Sequence, residues 1–257
     1  MRARPLLLVS LATVLGACSD GPLAPVVENT GPLTTFQGAP AEGCPTVRPR
    51  TVLVDPTHDG GTWWFPQSAT SGGFKAELPH QGRALAEYLR AQGYAVTELA
   101  RGATMSPTDM MSHAVILRAG YYYDTNHPGY TQTDLDAYAA YVGCQRTLIV
   151  LAEYLRPGVH DALADALGFP LEGNITGDID SFTSHAITTG VTSIRYVAGS
   201  YLSSELNASV TVLGRSAGKA VMGLLTDRTA KVLFIGDVNG IQAVPQPFIS
   251  NLVAWGF

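Results

Sequence analysis

Charge is scarce in this chain, and so are most residues that announce a chemistry. Asp, Glu, Lys and Arg make up only 14% of its 257 residues, with 16 basic against 21 acidic side chains. A formal charge of −5 and the lack of any basic tract argue against nucleic acid as a partner. Long apolar runs are missing too. The longest, from Leu6 to Leu15, is shorter than the ~18–20 residues that a spanning helix needs. No HExxH pair occurs, the six histidines are scattered, and no period repeats. Cysteine is rare, with only three in the whole chain.

The N-terminus is the most explicit stretch present. Arg2 and Arg4 precede the apolar run, and Leu15-Gly16-Ala17-Cys18 follows it. A positive start, a short apolar run and small residues form a bacterial secretory signal. A cysteine directly after the small pair resembles a lipobox, in which Cys18 becomes a diacylated first residue. Two acyl chains hold a protein on a bilayer without a spanning helix. The expectation is a signal peptide over 1–17, cleavage before Cys18, and anchorage in the bacterial cell envelope. Ser19 in place of an acid leans toward the periplasmic face of the outer membrane where the cell has two membranes. Cleavage moves the formal charge from −5 to −7.

Residues 18–47 are rich in Pro, Gly, Thr and Ala and read as a tether. Cys44 and Cys144 remain as an even pair in a compartment that permits disulfides. Each precedes a strand, so in a parallel sheet both lie at the same edge. A bridge is expected, against the alternative of two separate thiols.

From Thr51 the pattern alternates. Strands are expected at Thr51–Val54, Val96–Leu99, Ala114–Leu117 and Thr147–Leu151, and helices at His80–Gln92, Gln132–Val142 and Asp161–Leu167. Ser106-Pro107 reads as an N-cap followed by a first-turn proline. Alternation of this kind implies a mostly parallel sheet covered on both faces. Beyond Asn174, Ser193–Val197, Val210–Leu213 and Val221–Leu225 suggest some antiparallel strands. Lys231–Ile235 returns to a buried strand and Gln246–Trp255 closes with a helix. Hydrophobic content of 46% suffices for the core of one α/β domain over 48–257.

The order "TVLVDPTHDGG", "LAEYLRAQGYAVTEL", "YTQTDLDAYAAYVGCQRTLIVLAEY", "SHAITTGV" and "KVLFIGDVNG…NLVAWGF" resembles the uncharacterised, non-catalytic branch of the class I glutamine amidotransferase-like superfamily. The resemblance implies a flavodoxin-like, three-layer α/β fold. It also marks a departure. Amidotransferases carry a cysteine nucleophile at a sharp turn after a central strand, and the matching turn here is Leu151-Ala152-Glu153-Tyr154. Without a thiolate the thioester that releases ammonia cannot form.

Ligands of open α/β sheets bind at the strand carboxyl ends. The candidate binding residues there are Asp55, His58 and Asp59 after the first strand, and Arg118 and Tyr121 after the third. Glu153 and Tyr154 follow the fourth, and Asp237 and Asn239 follow the last long one. Trp63 and Trp64, beside Phe65, add an aromatic cluster in a Gly/Ser-rich loop, fit for stacking on a ligand or for covering the sheet. Asp55-x-x-His58-Asp59 offers ligands for a metal, but no His/Cys cluster completes a site, so neither metal nor cofactor is expected.

Gly214-Arg215-Ser216-Ala217-Gly218 matches the G-x-S-x-G elbow, yet every histidine precedes Ser216, and the same stretch reads as a hairpin turn. His185 lacks a partner nucleophile and suits a loop-fixing role. The expectation is an anchored protein that binds or scaffolds an envelope protein or a polar ligand. Its rival is a hydrolase of carbohydrates or esters using Asp55, His58, Asp59 or Glu153.

Overall fold

The computed structural model describes residues 44–45, 50–58, 77–100, 102–120, 129–156, 158–226, 230–242 and 246–257. The expected signal and Cys18, nearly all of the tether, Asp59, Trp63, Trp64, Phe65 and Tyr121 lie outside these residues.

Four strands are buried on both faces, which is why they read as unbroken apolar runs: β1 (Thr51–Asp55), β3 (Val115–Arg118), β4 (Thr147–Leu151) and β10 (Lys231–Ile235). With β2 (Ala95–Glu98) they form a parallel set in the order β2-β1-β3-β4-β10. The sheet continues with antiparallel β9 (Lys219–Leu225), β8 (Val210–Ser216) and the two-residue β6 (Ser181–Phe182). This is the flavodoxin-like α/β fold with antiparallel strands in its C-terminal part.

Alternation along each strand divides the core into two layers. Val52, Val54, Ile149, Leu151, Leu233 and Ile235 face α1 (Arg83–Ala91) and α5 (Pro247–Gly256). Leu53, Leu148, Val150, Val232 and Phe234 face α2 (Pro107–Met111), α3 (Gln132–Gly143) and α4 (Ala162–Ala166). Side chains that alternate between faces on a two-residue period produce this split.

Helix starts follow local chemistry. Ser106 and Thr131 close capping boxes with Asp109 and Asp134, and Asp161 accepts from Ala164 N. The edge at β2 is short, and Arg90 Nη2 donates to Val96 O there, which blunts further strand pairing.

The hairpin β8–β9 turns through Ala217 and Gly218, both at positive φ, so the G-x-S-x-G match is a two-residue turn. Ser216 is buried and its Oγ donates to Gly177 O at 2.7 Å. The expected strand at Ser193–Val197 requires correction. Only Ile194 bridges there, to Ile179, and the strand is β7 (Gly199–Leu202), paired with β5 (Leu171–Ile175) in a separate ribbon. β5 and β6 carry too little apolar alternation to be read from composition.

Cys44 and Cys144 form a disulfide across 100 residues of sequence, with Cα atoms 5.4 Å apart. Cys144 is the C-cap of α3, and Arg146 Nη2 donates to Pro45 O at 3.2 Å. Two successive residues of the incoming chain are thus held at the N-terminal edge of β4.

A closed loop of this length contributes up to about 4–5 kcal/mol in the chain-entropy treatment. Replacing both Cys44 and Cys144 by Ala is expected to lower unfolding free energy by roughly 2–5 kcal/mol in urea titrations. Reduction of the native chain should give a similar loss.

Candidate functional site

In the parallel order, the chain reverses direction of winding between β1 and β3, which is where flavodoxin-like sheets open a crevice. The last residues of those strands, Asp55 and Arg118, are partners in register, and both are buried. Asp55 Oδ1 accepts from Thr57 N at 2.9 Å and Thr57 Oγ1 at 2.5 Å, while the Tyr138 hydroxyl of α3 donates to Oδ2. Arg118 Nη2 donates to Asp161 Oδ2 at 2.6 Å, and Nη1 donates to Gly120 O at 3.2 Å. Asp161 is itself the buried N-cap of α4. His58 packs on Tyr130, with ring centroids 3.9 Å apart, and Tyr130 meets Tyr138 edge-on.

Burial disfavours the charge on Arg118, but the Asp161 carboxylate and the neighbouring tyrosines outweigh it and hold the guanidinium pKa above its usual value. Tyr138 is pushed well up by burial and then by the Asp55 carboxylate, so its hydroxyl stays a donor.

A second cluster lies where β4 and β10 end. Ala152 N donates to Ile235 O at 2.8 Å, which ties the turn after β4 to the end of β10. Glu153 is buried; its Oε1 accepts from Tyr154 N at 2.9 Å, and its carbonyl accepts from Ser200 Oγ at 2.6 Å. Asn174 grips the next residue through both amide atoms, accepting from Leu155 N at 2.9 Å and donating to Leu155 O at 2.7 Å. Asp237 caps the 3-10 turn Val238–Ile241 through Asn239 N at 2.9 Å and also accepts from Val197 N at 2.5 Å. With its amide nitrogen turned toward Asp237, Asn239 donates to Oδ1 at 2.7 Å.

Burial raises the Asp237 pKa against the pull of these backbone donors. Burial, with the charges of Asp237 and Glu153, raises that of Tyr196, whose hydroxyl donates to Ser200 O.

Over this cluster β7 crosses the end of β10. Ser200 N donates to Gly236 O at 2.8 Å, and a Cβ on Gly199 would sit 2.3 Å from that same oxygen. Two side chains are left outside. Tyr154 is 45% exposed and Val197 is 42% exposed. Tyr154 lines an open cavity of about 340 Å³ with Asn174, Ile175, Thr176 and Ala198.

A third polar group sits at the end of β2. His80 Nε2 lies 2.7 Å from Glu98 Oε2, and Arg90 pairs with the other carboxylate oxygen. Burial works against the Glu98 charge, but the two partners prevail and its pKa is lowered. An open cleft of about 390 Å³ beside His80 is lined by Gln81, Arg83, Glu87 and Gln242.

The expected residues therefore fall into two groups. Asp55, His58 and Arg118 gather around Tyr130 and Tyr138 at the β1/β3 crevice. Glu153, Tyr154, Asp237 and Asn239 gather at the β4/β10 ends. Two strand spacings, about 10 Å, separate β1 from β4. Among the described residues no three His, Cys, Asp or Glu side chains are placed to share a metal.

Tyr138, Asp161, Asn174, Tyr196 and Ser200 complete the clusters and were not among the candidate site residues. Asp161 carries a signal, its place before a helix; the others read as ordinary core or turn residues. His185 caps the 3-10 turn Ala186–Thr188 through Ile187 N at 3.2 Å, a loop-fixing role.

No protein-family model matches the chain, and neither does any curated protein. Solved structures do. The mmIFT52 N-terminal domain gives a TM-score of 0.56 at 10% identity, over 79% of this chain and 94% of that one. A cytoplasmic protein of Salmonella typhimurium LT2 gives 0.50 at 15% identity, over 78% and 93%. A protein described as thua-like, from Bacteroides uniformis, gives 0.49 at 14% identity, over 85% and 95%. At these identities the likeness of the first two is one of fold alone.

Asp161→Ala strands Arg118 in the interior without its counter-charge, and an expected loss of about 3–5 kcal/mol should appear in urea unfolding. Replacing both partners by Leu and Met is expected to cost less than the single change.

Asp165, one turn along α4, is pushed up to about 6 by partial burial and then by the Asp161 charge. Its folded form holds the proton more tightly than an unfolded carboxyl at 3.8, so the penalty appears as pH rises. Asp165→Asn should therefore raise the thermal midpoint at pH 8 and leave it unchanged below about pH 4. The side chain reaches solvent, so the gain is small.

Proposed function

We propose that this chain is a lipid-anchored cell-envelope protein whose amidotransferase-like domain binds a partner or polar ligand at the strand carboxyl ends and catalyses nothing there. The observation that carries the reading is the state of the buried carboxylates at the strand ends and at the start of α4 beside them. Asp55, Asp161, Asp237 and Glu153 are buried and each accepts from the chain's own donors. A general acid or base must reach a substrate proton, and these groups are turned to holding loops.

The bend after β4 offers Ala152 and a buried Glu153 where a nucleophile would stand. Ser200, close by, is buried and its hydroxyl is spent on donating to Glu153 O. The exposed Tyr154 and the open cavity beside it supply a surface that needs no reactive group. Anchorage rests on Cys18 behind the secretory pattern, and the bridged Cys44–Cys144 pair fits an oxidising compartment. In a cell with two membranes the periplasmic face of the outer membrane is the proposed location. Neither a metal nor a cofactor enters this reading.

Two measurements test it. Cells fed labelled palmitate should yield a labelled protein that loses its label in Cys18→Ala. Purified residues 19–257 should turn over none of a panel of glycosides and esters. Turnover that disappears in Glu153→Gln or His58→Ala would establish the hydrolase instead.

A further inference from the structure

The edge of the sheet opposite the candidate site joins cations to half-wet aromatic rings. Register sets Thr51 beside Ala95, and Thr147 beside both Val115 and Lys231, so the five parallel strands begin together. Arg50, just before β1, is exposed and lies 4.6 Å from the centroid of the Tyr94 ring, which Phe257 meets edge-on at 5.6 Å. Lys231 opens β10, 5.6 Å from the centroid of the Trp255 ring, and its Nζ donates to Trp255 O. His185 meets the same indole edge-on at 6.3 Å. Tyr94, Trp255, Phe257 and Lys231 are all half-buried.

Acids are missing from the described segments that lead into these strands, residues 50, 92–94, 112–114, 144–146 and 230, and from the last turn of α5. Asp109, in the short helix before β3, turns its carboxylate back to Ser106 Oγ at 2.6 Å. Glu205 precedes β8, which lies two strands beyond β10. Positions 227–229 lie outside the described residues, and the charges of Asp227 and Arg228 there cancel in the sequence. The described charge on this edge is therefore positive, on a chain whose formal charge is −5.

The same edge receives the chain from its N-terminal side. Cys44 is bonded to Cys144, and Arg146 donates to Pro45 O, so the stretch that leads back to Cys18 joins the domain here. An acylated Cys18 sits in a bilayer, and the pin sets this face, rather than the strand carboxyl ends, at the end of the tether. Amphipathic rings beside Lys and Arg match the headgroup layer of such a bilayer, where aromatic belts gather and anionic lipids attract cations.

We infer that the N-terminal edge of the sheet rests on the anionic surface of the membrane that holds Cys18. Arg50 and Lys231 meet the headgroups, and Tyr94, Trp255 and Phe257 lie at their level. This rests on the reading of Cys18 as acylated and names the surface against which the anchored domain lies. The rim at the strand carboxyl ends then faces away from the bilayer, open to a partner.

The test uses the acylated protein taken from membranes and carrying Trp63→Phe and Trp64→Phe, so that Trp255 is its only indole. It is reconstituted on vesicles of phosphatidylcholine, or of an equal mixture with phosphatidylglycerol, each containing a phosphatidylcholine with a nitroxide on its headgroup. Trp255 should be quenched at least roughly twofold more on the anionic vesicles, and added salt or Arg50→Glu should remove most of that difference. A reporter at the opposite rim, Tyr154→Trp with Trp255→Phe added, should stay unquenched on both.

Equal behaviour of Trp255 on the two kinds of vesicle would overturn the inference, as would quenching at position 154 as strong as at 255. Either result leaves the anchor in place and removes only the docked face. A Cys18 that takes up no palmitate removes the anchor and this inference together.

Discussion

No side chain fits where β7 crosses the end of β10, and much of the C-terminal rim follows from that contact. A Cβ on Gly236 would lie 1.9 Å from Ser200 O, and one on Gly199 would meet Gly236 O as closely as 2.3 Å. Two glycines therefore let a backbone strand lie directly on the strand end that a ligand or catalytic loop would otherwise occupy. Ser200 then reaches Glu153 O, Tyr196 reaches Ser200 O, and Asp237 reaches Val197 N. The chain fills its own crevice at this point and leaves Tyr154 and Val197 on the outside.

The β1/β3 crevice is closed by different means. Asp55 and Arg118 meet Tyr138 and Asp161, which α3 and α4 bring down onto the strand ends. Buried charges of this kind contribute little net stability once their desolvation is counted, and they are costly to leave half-paired. Their effect here is to fix loop geometry. The ends of β1 and β3 thereby carry a rigid polar floor.

Much of the scaffold was legible in the residues. β4 and β10 are continuous apolar runs bounded by polar turns, and both begin and end where that pattern does. Ser106 marks a helix start by its capping position before Pro107, the apolar spacing marks the helices that begin after Asp161 and Gln246, and the Gly218 hairpin is marked by its turn chemistry. The disulfide was legible because parallel strands share an edge. β5, β6 and β7 were not, since residues such as Leu171–Ile175 owe their strand conformation to a partner about thirty positions away. The site was half legible. Strand-end position named Asp55, Arg118, Glu153 and Asp237, but not the tyrosines and Asn174 that engage or brace them.

Local pattern, then, decided the class of fold, the edge at which a site would form, the pairing of Cys44 with Cys144 and the want of a nucleophile after β4. These depend on period, turn chemistry and residue identity, all of which are short-range properties. Tertiary structure alone decided which strand-end charges are spent inside the molecule and which side chains remain outside. Hydrogen-bond partners such as Asp55 and Tyr138, or Ser200 and Glu153, are separated by 83 and 47 residues, and only the closed sheet brings them within reach.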